Sequence, residues 1–445
     1  MKRFQVLFWL CVFPAVSFCA EPGLIVSSIT VTDNRVHESI VRNKLAFKAG
    51  DMLDDEKLAL SRGNLYAMGL FKTLEIQQNP DGQGSVAVTV KAKDGWFALP
   101  WIMAGSRGGE RYTGVMLMEQ NLFRGAERLA YFGMFQNSDS LNGFSLMFPD
   151  FALNASIGQR DYTDYRYQNG EYTSGILVGR ELSKLQDFGA ISDSYNLDSQ
   201  STRLSVNLPV ERGLRVSAGV NLSRADYSPI TGSAPGDSGA FNALQAGINY
   251  GRNDSARDLS GAFGRIFGMG MADLEENFKP LSCSKAEWGF SASIESALKE
   301  LESEHDYVKT VVSATRETKF CDYSRLLFCA RVGLGSTLPF SQLFATNRAA
   351  GMMGVYAREF RGDDIGVASA DYRYPLVRNR RGVLNADIFT EAAVVTAGAA
   401  NYGKQGAGCN LSWQFWRFPL PLGIGYTYCI DDQNWKASFS IGGMF

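Results

Sequence analysis

Histidine is the side chain most often asked to move a proton near neutral pH. This sequence of 445 residues holds two, His37 and His305. His37 falls in a short helical stretch, and His305 lies between Glu304 and Asp306 in a polar turn. They are too isolated for a metal centre or a Ser–His–Asp triad. Of seven cysteines, Cys11 and, with one cleavage point, Cys19 leave with the N-terminal leader. Cys283, Cys321, Cys329, Cys409 and Cys429 have neither zinc-site spacing nor the look of a disulfide framework. Gly333-Leu334-Gly335 lacks the rest of a phosphate cradle. Arg361-Gly362-Asp363 spells an adhesion tripeptide, a match short enough to arise by chance. The expectation is a protein without catalysis, metal or cofactor. The residues left with charge to place are those of Arg358 to Leu376, R-E-F-R-G-D-D-I-G-V-A-S-A-D-Y-R-Y-P-L.

The elements around that stretch decide its meaning. Gly362 and Gly366 bracket two aspartates, so the backbone turns there. Beyond the turn, Ala368, Ala370, Tyr372, Tyr374 and Leu376 alternate with Ser369, Asp371 and Arg373, the period of a strand. The same alternation recurs from Trp96 to the end, in segments of about ten residues. Leu204, Val206 and Leu208 are one example; Leu214, Val216, Ala218, Val220 and Leu222 follow after a turn. Trp435, Ala437, Phe439 and Ile441, ending at Phe445, form the last. Tyr162, Tyr165, Tyr167, Tyr426, Tyr428 and Trp435 cluster near strand ends, as interfacial girdles do. Strands of this length suit a tilted membrane crossing. In lipid an open sheet edge would leave unpaired backbone groups at several kcal/mol each, so the sheet must close. About 350 residues at roughly 22 per strand and loop give about 16 strands. Cys409 and Cys429 flank the turn at 417–422 symmetrically. They fall on opposite faces, so no disulfide is expected between them.

The chain opens with Lys2 and Arg3 before an apolar run to Phe18, a secretory leader too short to span a membrane as a helix. Cleavage after Ala20 or after Ser17 fits, and Cys19 raises a lipoprotein reading that the bulky Phe18 opposes. The net charge of −2 offers nothing to nucleic acid. Residues 21–94 read as a small α/β domain: a strand over Leu24–Thr32, a helix over Val36–Phe47, and a second helix from an Asp54 cap to Met68. Two strands joined at Asn79-Pro80-Asp81-Gly82 complete it. The remaining residues, 95–445, form the barrel.

Several segments together resemble a known family. Gly69-Leu70-Phe71-Lys72-Thr73-Leu74-Glu75-Ile76 is similar to the helix-to-strand step of a POTRA domain, the periplasmic module preceding certain outer-membrane barrels. Tyr112-Thr113-Gly114 followed by Asn121-Leu122-Phe123-Arg124-Gly125-Ala126 resembles the first barrel hairpin of the BamA/TamA/FhaC superfamily. Phe148-Pro149-Asp150-Phe151, Tyr250 to Asp254 with Gly261, and Ala370 to Leu376 resemble later motifs, as does Gly382 with Phe389 and Glu391. Phe360-Arg361-Gly362-Asp363 is similar to the tip of that family's inward-folding loop, with Phe360 and Asp363 departing from the usual valine and aromatic. Phe439, Ile441 and the final Phe445 fit its C-terminal barrel signal.

The resemblance implies a mainly β protein: one small POTRA-like periplasmic domain before an antiparallel transmembrane barrel of about 16 strands, in a bacterial outer membrane. It also implies a weak seam between first and last strands. The loop arginine, Arg361, would pair with an acid on the inner wall; Asp387 and Glu391, both on the lumen face by parity, are the candidates. The partners implied are unfolded outer-membrane or secreted polypeptides, membrane lipids, and periplasmic chaperones or accessory lipoproteins. Insertion of unfolded barrel clients leads among the functions. Secretion of one exoprotein through the lumen and a passive pore are the alternatives.

Overall fold

The structure is a computed structural model. It describes residues 24–441 except 67, 69, 83, 96–97, 108–109, 120, 137–138, 149–150, 168–171, 175–190, 212, 252–284, 321–323, 346–359, 380, 416–420 and 432. The leader, Gly69, Pro149, Asp150, the motif from Arg252 to Gly261, Cys283, Cys321 and Phe445 therefore lie outside the described residues.

The first unit is a four-stranded sheet with two helices. The strands are β1 (Leu24–Thr32), β2 (Met52–Leu53), β3 (Phe71–Gly82) and β4 (Ser85–Asp94), in the order β2-β1-β4-β3. Helix α1 (Glu38–Arg42) and helix α2 (Asp55–Tyr66) bury Val41 and Leu65. These pack with Val26, Phe47, Leu70, Phe71, Val86, Val88 and Val90 in one core. α1 is shorter than the helix expected over Val36–Phe47. His37 caps it, its side chain accepting from the Ser39 backbone. Past Arg42, Lys44 and Leu45 donate to the third residue back, to Val41 and Arg42, so the helix tightens and ends. The turn expected at Asn79–Gly82 is instead strand. Pro80 sits on β3, an edge strand whose register shifts between Pro80 and Gly82, where a missing N–H costs no ladder bond. Gly82 and Gly84 have φ of +83° and +79°, and the chain reverses there.

The second unit is a closed antiparallel barrel. Its wall strands are β5 (Ala98–Arg107), β6 (Glu110–Glu119), β7 (Arg128–Gln136), β8 (Asp139–Met147), β9 (Ala152–Tyr167), β10 (Ile191–Glu211), β11 (Leu214–Thr231) and β12 (Ala243–Gly251). They continue as β13 (Lys285–Ala297), β14 (Tyr307–Lys319), β15 (Arg325–Ser336), β16 (Asp364–Asn379), β17 (Gly382–Ala397), β18 (Ala400–Phe415), β19 (Leu422–Cys429) and β20 (Asn434–Ile441). That makes 16 wall strands, β20 closing onto β5. The expected mainly β architecture, a small α/β domain before a 16-stranded barrel, is what the chain adopts.

Parity follows the sequence pattern. Ile388 and Val394 are 65% and 50% exposed on the outside, while Asp387 and Glu391 on the same strand are 0% and 3% exposed on the inside. Leu204, Leu208, Leu222, Tyr372, Tyr374, Leu376, Tyr426, Trp435, Phe439 and Ile441 all look outward. An apolar belt outside a closed hydrogen-bonded wall is the form in which strands cross a bilayer. Cys409 is exposed outside and Cys429 buried inside, on the opposite faces expected.

Candidate functional site

Three features converge: a loop crossing the lumen, the seam between the first and last wall strands, and a docked N-terminal domain. The loop joins β15 to β16. Phe360 is buried and stacks on Tyr402 of β18, ring centroids 5.2 Å apart at 17°. Lys404 Nζ lies 5.4 Å from the same ring. Arg361 and Gly362 pair as a two-residue ladder with Phe344–Ala345. A Cβ on Gly362 would collide with the Thr396 carbonyl at the end of β17, so only glycine allows this approach. Asp363, half-buried, completes the elbow.

The Arg361 side chain then reaches the other side. Its Nη2 donates to Asp164 Oδ2 at 2.6 Å, and its guanidinium stands 4.7 Å from the Phe340 ring centre. Asp164 belongs to β9, eight wall strands from β17, so the pair spans the barrel. Both groups are buried, Arg361 6% and Asp164 0% exposed. The expectation of Asp387 as the partner is corrected. Asp387 is directly opposite Arg373 in the β16–β17 register and is gripped by Arg373 Nε and Nη2, the latter at 2.8 Å. A carboxylate held in this forked way by its own cross-strand neighbour has little left for a distant cation. Glu391, the other candidate, is buried on the same wall four residues further along β17, and the carboxylate that the Arg361 Nη2 meets is that of Asp164.

Phe340, within a 3-10 turn at Phe340–Gln342, fixes the earlier part of the loop. Its ring meets Tyr195 of β10 and Tyr227 of β11 edge-on, at 5.7 and 5.9 Å. Its backbone N–H donates to the Asp237 carboxylate. Lys309 of β14 donates to the Gln342 carbonyl at 2.7 Å and lies over the Phe344 ring. Asp164, Phe340, Tyr195, Tyr227 and Lys309 were not singled out from sequence. Lys309 alone carried a local signal, a lumen-parity cation on a strand of alternating residues.

At the seam, β20 and β5 pair among the described residues at three positions: Phe439 opposite Ser106, Ser440 opposite Gly105 and Ile441 opposite Ala104. On its other side β5 pairs with β6 along its whole length, Ala98 opposite Glu119 to Arg107 opposite Glu110. Gly105 carries the closest approach: a Cβ there would collide with the Tyr112 ring and come 2.7 Å from the Phe439 carbonyl oxygen.

The docked domain meets the β6–β7 turn. The Arg124 carbonyl accepts from the His37 N–H at 2.7 Å, and Arg128 Nη2 donates to the Met68 carbonyl at 2.7 Å. Ala126 packs against the domain's core. Within the turn, Asn121 Oδ1 accepts from the Ala126 N–H at 3.1 Å, an Asx-type closure. Arg124 and Ala126 take left-handed φ of 66° and 64°. His37 therefore caps a helix and holds this joint. His305, in the polar turn between β13 and β14, is half-buried and stacks on Phe241, ring centroids 5.2 Å apart.

Residues 24–95 match the model of the POTRA family, described as "Surface antigen variable number repeat". No curated protein matches the chain. Among solved structures the chain is similar to BamA from Haemophilus ducreyi lacking POTRA domains 1–3, with TM-score 0.55, 14% identity, 94% of this chain and 84% of that one covered. It is also similar to CdiB from Escherichia coli, with TM-score 0.61, 12% identity, and coverages of 94% and 76%. For CdiB from Acinetobacter baumannii the values are 0.58, 11%, 94% and 74%. At these identities the likeness is one of fold. Residues 24–95 are a POTRA domain, and the closed 16-stranded barrel that follows completes a fold similar to those of the BamA and CdiB structures.

Proposed function

We propose that this protein inserts unfolded β-barrel polypeptides into the bacterial outer membrane, with its POTRA domain on the periplasmic side. The observation that carries the reading is the joint between the POTRA domain and the β6–β7 turn, one hairpin away from the seam where β20 meets β5. Edge strand β3 has a neighbour on one side only among the described residues, β4, and can add an extended client strand by β-augmentation. The client moves from that edge to the opened edge of β5, and its own folding drives release. The loop tied across the lumen speaks against a passive pore, since an open channel would need that tie broken. Periplasmic chaperones or accessory lipoproteins would deliver the client to the same edge.

Depletion followed by a proteome of the outer membrane tests this. Broad loss of barrels is expected. Loss of a single secreted protein would establish the secretion alternative instead, and an unchanged proteome would sink both.

A further inference from the structure

Over most of the outer wall the acyl chains meet large side chains. On β13 to β17 these include Ile294, Val312, Val332, Ile388 and Val394, all exposed. One region of the same strands is different. Ala314, Ala330, Ala368 and Ala392 stand opposite one another in register across β14, β15, β16 and β17. They share the outward parity of Val312, Val332 and Val394, each two residues away on its own strand. They floor an open depression of about 580 Å³, with Trp288, Arg316 and Phe328 at its β13–β15 end. That volume is in the range of small-molecule sites, roughly 300–1,000 Å³. Arg316 is the exception in this apolar belt. It sits in register between Trp288 and Phe328, both exposed on the lipid side. Its guanidinium lies over the Trp288 ring, 5.2 Å from the centroid. Glu287 and Glu317, beside it in register, have the opposite parity and pair with Lys319 and Arg325. Among the described residues, then, no carboxylate neutralises Arg316. A charge on the lipid face is costly in a depth-dependent way, and the ring offsets only part of that cost.

We propose that this groove holds one anionic glycerophospholipid, its phosphate on Arg316 and one acyl chain laid along the alanine floor. The two parts of the site fit the two parts of one amphiphile. A guanidinium presents a planar fork of donors that matches two phosphate oxygens. The Trp288 indole beside it is a ring with an apolar body and a polar N–H, suited to the level where headgroups begin. Within a bilayer the chain gains packing rather than escape from water, and a groove gives it protein atoms on more sides than a convex wall does. Depth selects the source of the lipid. Arg316 lies near the end of β14 at Lys319, where the chain turns back into β15. Wall strands alternate in direction, so this turn is at the same end of the barrel as the β6–β7 turn that meets the POTRA domain. The alanine row is the next outward row away from that turn, towards the bilayer centre. With the POTRA domain periplasmic, as proposed above, the headgroup belongs to the periplasmic leaflet, which is phospholipid, and not to the lipopolysaccharide leaflet. The site stands whichever polypeptide the barrel serves.

The test uses the full chain in phosphatidylcholine vesicles that carry a trace of phosphatidylglycerol with a diazirine in one acyl chain. Irradiation and peptide mapping by mass spectrometry read where that chain lies. Labelling around Leu222, exposed on the outer face of β11, gives the reference for ordinary lipid contact. Labelling of the segments that hold Ala314, Ala330, Ala368 and Ala392 is expected to exceed this reference about tenfold. Ala330→Leu with Ala368→Leu fills the floor, and Arg316→Gln removes the fork. Each should bring the excess down to the reference, whereas Arg316→Lys should keep part of it. Retained heat-modifiable mobility on gels separates loss of the site from loss of the barrel. A phosphatidylcholine probe with the same diazirine should label the groove less, and unlabelled phosphatidylglycerol should displace the first probe. Uniform labelling of the unsubstituted chain, an excess that survives both the filled floor and Arg316→Gln, or equal labelling by the two probes overturns the proposal. Displacement by lipid A and not by phosphatidylglycerol assigns the groove to the other leaflet and overturns it as well.

Discussion

The Arg361–Asp164 pair is the contact on which the loop depends. Both ends are buried, and removing one partner of such a pair costs about 3–5 kcal/mol because the other is left charged and dry. Arg361→Ala should therefore lower the unfolding midpoint of the detergent-solubilised barrel. The swap Arg361→Asp with Asp164→Arg should recover part of the loss, and the swap with Asp387→Arg should recover none. Asp94 offers a pH test outside the membrane. Its Oδ2 accepts from the Arg35 N–H at 2.8 Å, yet burial, the larger influence, raises its carboxyl above the usual range. A raised folded-state value means the group favours the folded domain below its unfolded value and loses that contribution as pH rises through the folded one. Asp94→Asn should flatten the decline in thermal stability of the whole chain across that rise, read by melting curves at a series of pH values. At this scale the sequence was legible where the pattern is local. Parity put Asp387 on the inner wall, but its partner was hidden: counting back from the β16–β17 turn puts Arg373 opposite Ile388, and the register shift between Pro375 and Val377 moves it opposite Asp387. Asp164 could not be read, because no local pattern links strands on opposite sides of a ring.

Among the elements, the turn from Asn121 to Glu127 joins the two units. Asn121 closes it, and Arg124 sits at φ 66° without the freedom of glycine. A left-handed residue of this kind carries about 1 kcal/mol of strain. Arg124→Gly should relieve most of it while keeping the carbonyl that accepts from His37. Asn121→Ala should loosen the joint and speed proteolytic release of residues 24–95, followed by gel analysis; unchanged protection would show that Arg128 and Ala126 hold the domain alone. Element by element, period-two strands are the easiest to read, because one face meets lipid and the other meets water. Val115 to Met118 has no such period, being apolar on both faces, so nothing in its pattern marks an inner surface. The helical spacing overextends α1, because the tightened turns after Arg42 keep that spacing without the helix.

For the whole molecule, the prediction concerns closure. Ser106 and Phe439 face each other across the seam, at a separation antiparallel partners share with disulfides. Ser106→Cys with Phe439→Cys, in a background lacking the native cysteines, should form a crosslink that abolishes barrel assembly in cells. Reductant should restore it, and full activity in the oxidised state would show that the seam stays shut during work.

The loop has a mechanical consequence for that opening. A hoop cut at one place uncurls freely, but a hoop braced across its diameter cannot. The Arg361–Asp164 contact and the stacking of Phe360 on Tyr402 act as a crossbar between β9 and the β17–β18 side. When the cut between β20 and β5 parts, the arc from β10 to β16 keeps its curvature, and only β5 to β8 on one arm and β19 and β20 on the other are free to swing. Any parting of that seam is thus confined to a short flap, and the braced remainder of the ring holds the geometry to which the flap returns.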